Sequence, residues 1–262
     1  MKIDLSGRTA VVAGATGDLG RTMARTLARC GADVAVHYCK NESKSTEICR
    51  DIEAMGRCAC AVQADVTDWE SVRAMERQVT AKLGAADIIV NAAVIQYEWK
   101  QVLDQALNDY ESQFRSCVMH NVHMAKAFAP AMAERKWGRI IAINTECSLE
   151  CWPAQSAYVS GKHGMNGLLR SLAAELGPDG ITVNQVAPGW MLSDRDRTGE
   201  KPSAALKEMT TKYSGMLPLR HRGEDQDIAN AVAFLASDLA QFITGVFLPV
   251  NGGGAVVPTW LQ

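Results

Sequence analysis

The sequence predicts an α/β protein: a doubly wound, seven-stranded parallel sheet with helices on both faces, built as a single domain across residues 1–262. Two patterns point there. Short runs of β-forming residues alternate along the chain with stretches whose apolar residues recur at helical spacing, the order of repeated βα units. One run, Asp87-Ile88-Ile89-Val90-Asn91, is almost continuously apolar, as a strand covered on both faces must be. The 262 residues can bury a large core, and 47% hydrophobic with 21% charged residues is an ordinary globular composition.

The first strand is Arg8–Ala13, ending at Gly14, and Leu19, Met23 and Leu27 then recur every fourth residue until Cys30-Gly31 stops the first helix. Val34–Tyr38 forms the second strand, and Glu42–Ala54 a helix with Ile48 and Ile52 turned inward. The third strand, Cys58–Gln63, leads to Asp65, after which Thr67-Asp68-Trp69-Glu70 offers a capping box to a helix running towards Leu83. The apolar fourth strand is followed by one long helix from about Asn108 to Arg135. Arg139–Asn144 is the fifth strand, Ser156–Leu176 a helix, Ile181–Ala187 the sixth strand and Val246–Val250 the last. Only Trp190–Leu217 breaks the rhythm. It is polar, longer than ordinary connections, and contains a short helical stretch at Ser203–Lys212 just beyond a strand's carboxyl end. That placement predicts a substrate lid around residues 190–217. No linker-like boundary, repeat or low-complexity tract divides the chain.

Several functions are excluded at this level. No stretch approaches the roughly 20 apolar residues of a membrane span. The opening Met1-Lys2-Ile3-Asp4-Leu5-Ser6-Gly7 lacks the apolar run of a signal peptide, so a cytoplasmic location is expected. The 27 Lys plus Arg balance 29 Asp plus Glu without a long basic run, which argues against nucleic acid as a partner. The eight cysteines are expected as free thiols. Cys58 and Cys60 share a strand face, but small buried side chains suit them better than a metal, and the histidines show no ligand spacing, so no metal is expected.

Two motifs carry chemistry. Gly14-Ala15-Thr16-Gly17-Asp18-Leu19-Gly20 lies between the first strand and first helix, where glycines admit a pyrophosphate and the helix N-terminus supplies amide N–H groups. Asp18 favours the helix dipole yet would repel a pyrophosphate unless turned away. Tyr158-Val159-Ser160-Gly161-Lys162 puts a phenol and an ammonium on one helical face, a pair able to exchange a proton with an alcohol or carbonyl.

Taken in order, the glycine turn, Asn91-Ala92-Ala93, Gly138-Arg139-Ile140-Ile141, Tyr158-xxx-Lys162, Asn184-Gln185-Val186-Ala187-Pro188-Gly189 and Val250-Asn251-Gly252-Gly253 resemble the short-chain dehydrogenase/reductase family over nearly the whole chain. The branch most similar, of roughly 250 residues, includes 3-oxoacyl-carrier-protein reductases and glucose dehydrogenases. The resemblance implies a Rossmann fold, a homo-oligomer (tetramer or dimer), and hydride transfer between a nicotinamide cofactor and a small-molecule carbonyl or alcohol. It implies Tyr158 as acid/base, Lys162 holding the nicotinamide ribose, and Thr145 in place of the family's substrate-orienting Ser. The cofactor would meet Gly14, Thr16, Gly17, Asp18, Leu19 and Gly20, then Asp65 and Val66, then Asn91, Ala92 and Ala93. Pro188, Gly189, Met191 and Ser193 match the segment that holds the carboxamide and phosphate.

The chain departs from the pattern at Ala13, at the glycine spacing, and at Asn91-Ala92-Ala93-Val94, where the branch reads NNAG. Ungapped counting puts Cys117 at the place of the family's helical Asn, with Asn121 one turn later on the same face. Either Asn121 takes over the proton relay or the relay differs. At the end of the second strand, His37-Tyr38-Cys39-Lys40-Asn41 lacks the acid that would select NAD(H), and Lys40 with Asn41 and Ser43 could meet a 2′-phosphate. NADP(H) is therefore favoured, with NAD(H) the alternative. Glu146, Trp152, Gln155, Trp190 and Gln96 should line the substrate pocket, and an acid beside Thr145 with two tryptophans suggests a sugar or polyol. The expected activity is that of an NADP(H)-linked oxidoreductase. The alternatives are a cofactor-binding but catalytically idle protein, serving as sensor or assembly subunit, and a lyase or epimerase on the same scaffold.

Overall fold

Strand β1, Thr9–Ala13, is buried along its whole length, and six further strands join it: β2 (Asp33–Tyr38), β3 (Ala59–Gln63), β4 (Ile88–Asn91), β5 (Gly138–Ile143), β6 (Ile181–Pro188) and β7 (Phe247–Val250). In the computed structural model, which describes residues 2–192 and 204–254, they form one parallel sheet in the order β3-β2-β1-β4-β5-β6-β7. The helices are α1 (Asp18–Arg29), α2 (Glu42–Ala54), α3 (Trp69–Leu83), α4 (Leu107–Gln113), α5 (His120–Glu134), α6 (Cys147–Glu150), α7 (Ser156–Leu176), α8 (Ala204–Met216) and α9 (Asp225–Ala236). The expected fold class is thus observed.

Alternation along the strands sorts the core into two halves. Ala10, Val12, Ile88, Val90, Ile141 and Ile143 face the side covered by α1, α2 and α9, while Val11, Ala13, Ile89, Ile140 and Ala142 face α3, α5 and α7. Strand order reverses between β1 and β4, so a crevice opens there at the carboxyl ends of the strands, the usual place for a ligand in such sheets.

Three differences from expectation have physical causes. The single helix expected from Asn108 to Arg135 is interrupted: α4 runs into a wider π-helical segment, Phe114–Met119, before α5 begins. Such segments add a residue to the local turn and re-aim the side chains that follow. Helix α3 is capped by Asp68, whose carboxylate accepts from Ser71 N–H at 2.7 Å, and not by Thr67, whose hydroxyl donates to Asp65. Helix α9 has no counterpart among the sequence-based expectations. It starts in a reciprocal Glu224/Asp227 capping box, buries Ile228, Ala229, Val232, Ala233 and Leu235, and is tied to α1 by Thr22 Oγ1 donating to Asp225 at 2.5 Å.

The short helix expected at Ser203–Lys212 corresponds to α8, but Ser193 and the rest of residues 193–203, within the expected lid, lie outside the described residues. Among the described residues no helix is long and apolar enough to cross a membrane, and the eight cysteines are free thiols.

Candidate active site

The glycine turn is shaped by close approach. Gly14 has φ +79°, and a Cβ there would lie 2.8 Å from Ala93 N; a Cβ on Gly20 would press into the Gly14 carbonyl. The backbone beneath is held from β2. Gly14 N–H donates to His37 Nδ1 at 2.9 Å, and Ala15 N–H to the His37 carbonyl at 3.1 Å. The other ring nitrogen of His37 donates to the Ala64 carbonyl at 3.0 Å, so the ring must be neutral, and burial holds its pKa below the ordinary value. Helix α1 starts after Gly17, which supplies no side-chain cap, at the end where a helix dipole favours an anion. Asp18 in its first turn faces Arg21 at 3.7 Å, which partly neutralises the charge that would oppose a pyrophosphate. Thr16 and Leu19 flank the turn, both half-buried.

Along the same crevice, Lys40 is exposed at the end of β2, while the Asn41 side-chain oxygen is occupied in capping α2 by accepting from Lys44 N–H and Ser43 Oγ. Asp65 accepts from both the amide and hydroxyl of Thr67 through one oxygen, and the carbonyl of buried Val66 accepts from His123. Ala92 N–H continues the ladder to Ala13 O at 3.0 Å. Buried Asn91 donates from Nδ2 to Asn121 Oδ1 at 2.7 Å, and its own Oδ1 has no partner. A cradle closed to any Cβ, an uncapped helix start and an unpartnered buried acceptor fit a dinucleotide laid across these strand ends.

The i, i+4 spacing does bring Tyr158 and Lys162 together on α7, with the Lys162 ammonium 5.6 Å from the centre of the Tyr158 ring. Buried Lys162 donates from Nζ to the Ile143 carbonyl at 2.6 Å, and desolvation lowers its pKa. Desolvation likewise pushes the Tyr158 phenol well above the ordinary value, opposed in part by a hydrogen bond with Thr145. Thr145 is placed by its neighbour: Asn144 Oδ1 accepts from Thr145 N–H at 2.8 Å and Ser148 Oγ at 2.9 Å, while Asn144 Nδ2 donates to Gln185 at 2.6 Å and to the Lys162 carbonyl at 3.3 Å. This network joins β5, β6 and α7 under the reacting groups.

The Asn121 side chain bridges Asn91 and the Cys117 carbonyl, each at 2.7 Å, whereas buried Cys117 lies close enough to Tyr158 and Lys162 to bear on the titration of both. The π-helical segment places Cys117 there.

A cavity of about 510 Å³ opens above Thr145 and Tyr158. Glu146, Trp152, Trp190, Gln155 and Gln96 all line it, together with Tyr97, Trp99 and Tyr213, which sequence reasoning did not single out. Tyr97 accepts from Tyr158 N–H at 2.9 Å, supplying the cap that α7 lacks, and Trp99 stacks near-parallel to the Tyr158 ring at 6.2 Å. Glu146 is only 4% exposed; its Oε1 accepts from Tyr213 at 2.6 Å, and its Oε2 is buried without a partner. Burial raises the Glu146 pKa, with the Tyr213 hydrogen bond opposing.

Pro188 ends β6, and a Cβ on Gly189 would lie 2.9 Å from both Tyr213 and Asn251. Arg222 donates to the carbonyls of Trp190 and Met191, fixing the segment beyond.

Comparison with known proteins agrees with this geometry. A family model described as Enoyl-(Acyl carrier protein) reductase matches residues 14–254. The chain is 36% identical over 256 residues to the 3-oxoacyl-[acyl-carrier-protein] reductase FabG of Staphylococcus aureus, covering 94% of this chain and 97% of that one. It is 34% identical over 261 residues to the protein of the same name from Pseudomonas aeruginosa, covering 96% and 98%. The structure of a gluconate 5-dehydrogenase from Burkholderia cenocepacia J2315, in complex with NADP and tartrate, matches with a TM-score of 0.89 at 28% identity, covering 98% of each chain.

Proposed function

The chain belongs to the short-chain dehydrogenase/reductase family of oxidoreductases, and from that premise we propose that it interconverts a carbonyl and a secondary alcohol with NADP(H), Tyr158 serving as acid/base. The observation that carries this reading is Tyr158 and Thr145 together in the lining of a cavity, with Lys162 beside the Tyr158 ring and a glycine turn closed to any Cβ at the neighbouring strand ends. The nicotinamide cofactor supplies or takes the hydride. It would be held by residues of the 14–20 turn, Asp65, Val66, Asn91 to Ala93, Lys162, and the segment of Pro188, Gly189, Met191 and Ser193.

Thr145 donates to the carbonyl oxygen and Tyr158 protonates it as charge develops there. A phenol held above its ordinary pKa stays protonated at neutral pH, which suits reduction. The alcohol-oxidising direction needs the phenolate, which the Lys162 charge favours. Asn121 acts through Asn91, keeping the end of β4 in place, and Cys117 occupies the place beside Lys162. Lys40, exposed at the end of β2, is the group available to a 2′-phosphate, which supports NADP(H) over NAD(H). Helix α8, anchored by Tyr213, covers the cavity as the described part of the lid.

The test is NADPH oxidation with a carbonyl panel. Tyr158→Phe should lose about 10²–10⁴-fold in kcat while NADPH still quenches tryptophan fluorescence. Turnover surviving that change would overturn the mechanism, and NADH binding as tightly as NADPH would overturn the cofactor preference.

A further inference from the structure

The walls of the cavity say more about the substrate than the reacting groups do. Besides Tyr158 they include the rings of Tyr97, Trp99, Trp152, Trp190 and Tyr213, with Val94, Ile95, Pro153 and Met209 between them. Three of these rings have their polar group engaged. Trp152 donates its indole N–H to Glu150 at 2.8 Å. Tyr213 donates to Glu146 and accepts from the Trp190 backbone N–H, and Tyr97 accepts from the Tyr158 backbone N–H. Arg222 sits 5.0 Å from the centre of the Trp190 ring. The rings of Tyr97, Trp152, Trp190 and Tyr213 are thus tied in place before a ligand arrives, which lowers the cost of binding something that matches them.

What remains is flat and apolar. Trp99, 50% exposed at the mouth, lies near-parallel to the Tyr158 ring, at 25° with the ring centres 6.2 Å apart. Two buried acceptors without a partner, Glu146 Oε2 and Gln155 Oε1, belong to lining residues, fewer than the several that a polyol needs. A row of hydroxyls would lose more water here than these acceptors replace, whereas an unsaturated ring gains offset stacking.

Resting on the carbonyl-reduction reading, we infer that the substrate is a flat ring ketone, an aryl or fused cyclic ketone that stacks on Trp99 with its carbonyl oxygen at Thr145 and Tyr158. In the reductive direction the ketone carbon gains hydride from NADPH, the C=O π pair moves to oxygen, and that oxygen takes the Tyr158 proton. The products are a secondary alcohol and NADP⁺, and solvent reprotonates the phenolate.

The experiment compares 1-tetralone, a bicyclic aryl ketone, with fructose and with acetoacetyl-CoA, each with NADPH and the whole protein. The expected result is a kcat/KM for 1-tetralone at least about 100-fold above the other two. Trp99→Ala should reduce it about tenfold, chiefly through KM, with Trp99→Phe recovering most of the loss. Quenching of the remaining tryptophans by 1-tetralone alone reads binding without turnover. Saturable quenching weakened by Trp99→Ala, with no ketone reduced, would keep the ring site and overturn the reductase reading. A preference for fructose or acetoacetyl-CoA, or a Trp99→Ala variant indistinguishable from wild type on 1-tetralone, would overturn the inference and leave the reductase reading standing.

Discussion

At the scale of single residues, the clearest case is Glu146 with Tyr213. The acid was visible in the sequence beside Thr145, but its partner lies 67 positions away, and nothing in local spacing joins them. Tyr158 and Lys162 were legible because four residues along a helix is a contact written into the chain itself. Tyr97, Trp99 and His37 were not, because each acts through a contact made only when the sheet assembles. Tyr213→Phe removes a donor from Glu146 and an acceptor from Trp190 N–H, and should cost roughly 1–3 kcal/mol of stability. Glu146→Gln should behave differently. Burial raises the carboxyl pKa in the folded protein, so the stability tied to its protonated form is full below its unfolded value of about 4.3 and is lost as pH rises through the folded one. An amide keeps an acceptor for Tyr213 and does not ionise, so at pH 8 this variant should match or exceed wild type in urea melts, while Tyr213→Phe falls below both.

At the scale of elements, hydrophobic pattern placed every strand within a residue or two, since strands buried on both faces have little freedom of composition. Helix α9 was readable in principle from its capping box and its spacing of Ile228, Val232 and Leu235, but it follows the irregular stretch that interrupts the βα rhythm. The π-helical segment left no trace in the periodicity, because one extra residue in a long apolar helix only blurs the repeat. It is nevertheless where α4 meets α7. A Cβ on Gly161 would lie 2.9 Å from the Gln113 carbonyl, at the end of α4, and backbone cannot give way as a side chain would. Gly161→Ala should therefore displace α7 with both Tyr158 and Lys162, lowering kcat/KM at least about tenfold. Gly167, on the exposed side of the same helix, meets nothing within 4 Å, so Gly167→Ala should instead stabilise by roughly 0.5–1 kcal/mol with activity kept. Equal effects of the two changes on activity would refute the contact.

For the whole molecule, two buried histidines, one of them under the glycine turn, set its tolerance of acid. His37 under the glycine turn is 2% exposed, and His120 beside it is 1% exposed with one ring nitrogen unpartnered, so both are folded in as neutral rings. Burial lowers both pKa values, that of His120 to about 3, against about 6.5 in an unfolded chain. Between those limits the unfolded state binds more protons, so stability must fall as pH drops below about 6.5. His120 alone should remove about 1.4 kcal/mol between pH 7.5 and 5.5, and His37 adds to it. Protonation of folded His37 would abolish the acceptor for Gly14 N–H, but burial keeps the ring neutral to a pH below the ordinary imidazole value, so NADPH affinity should hold where stability first declines and weaken only in more acid solution. Denaturant melts across that range, with NADPH titrations carried below it, test both statements together. Replacing His120 by Leu should flatten the stability profile by about 1.4 kcal/mol and leave the affinity profile in place. If both profiles flatten, His120 rather than His37 governs the turn; if neither does, the acid sensitivity arises in other groups.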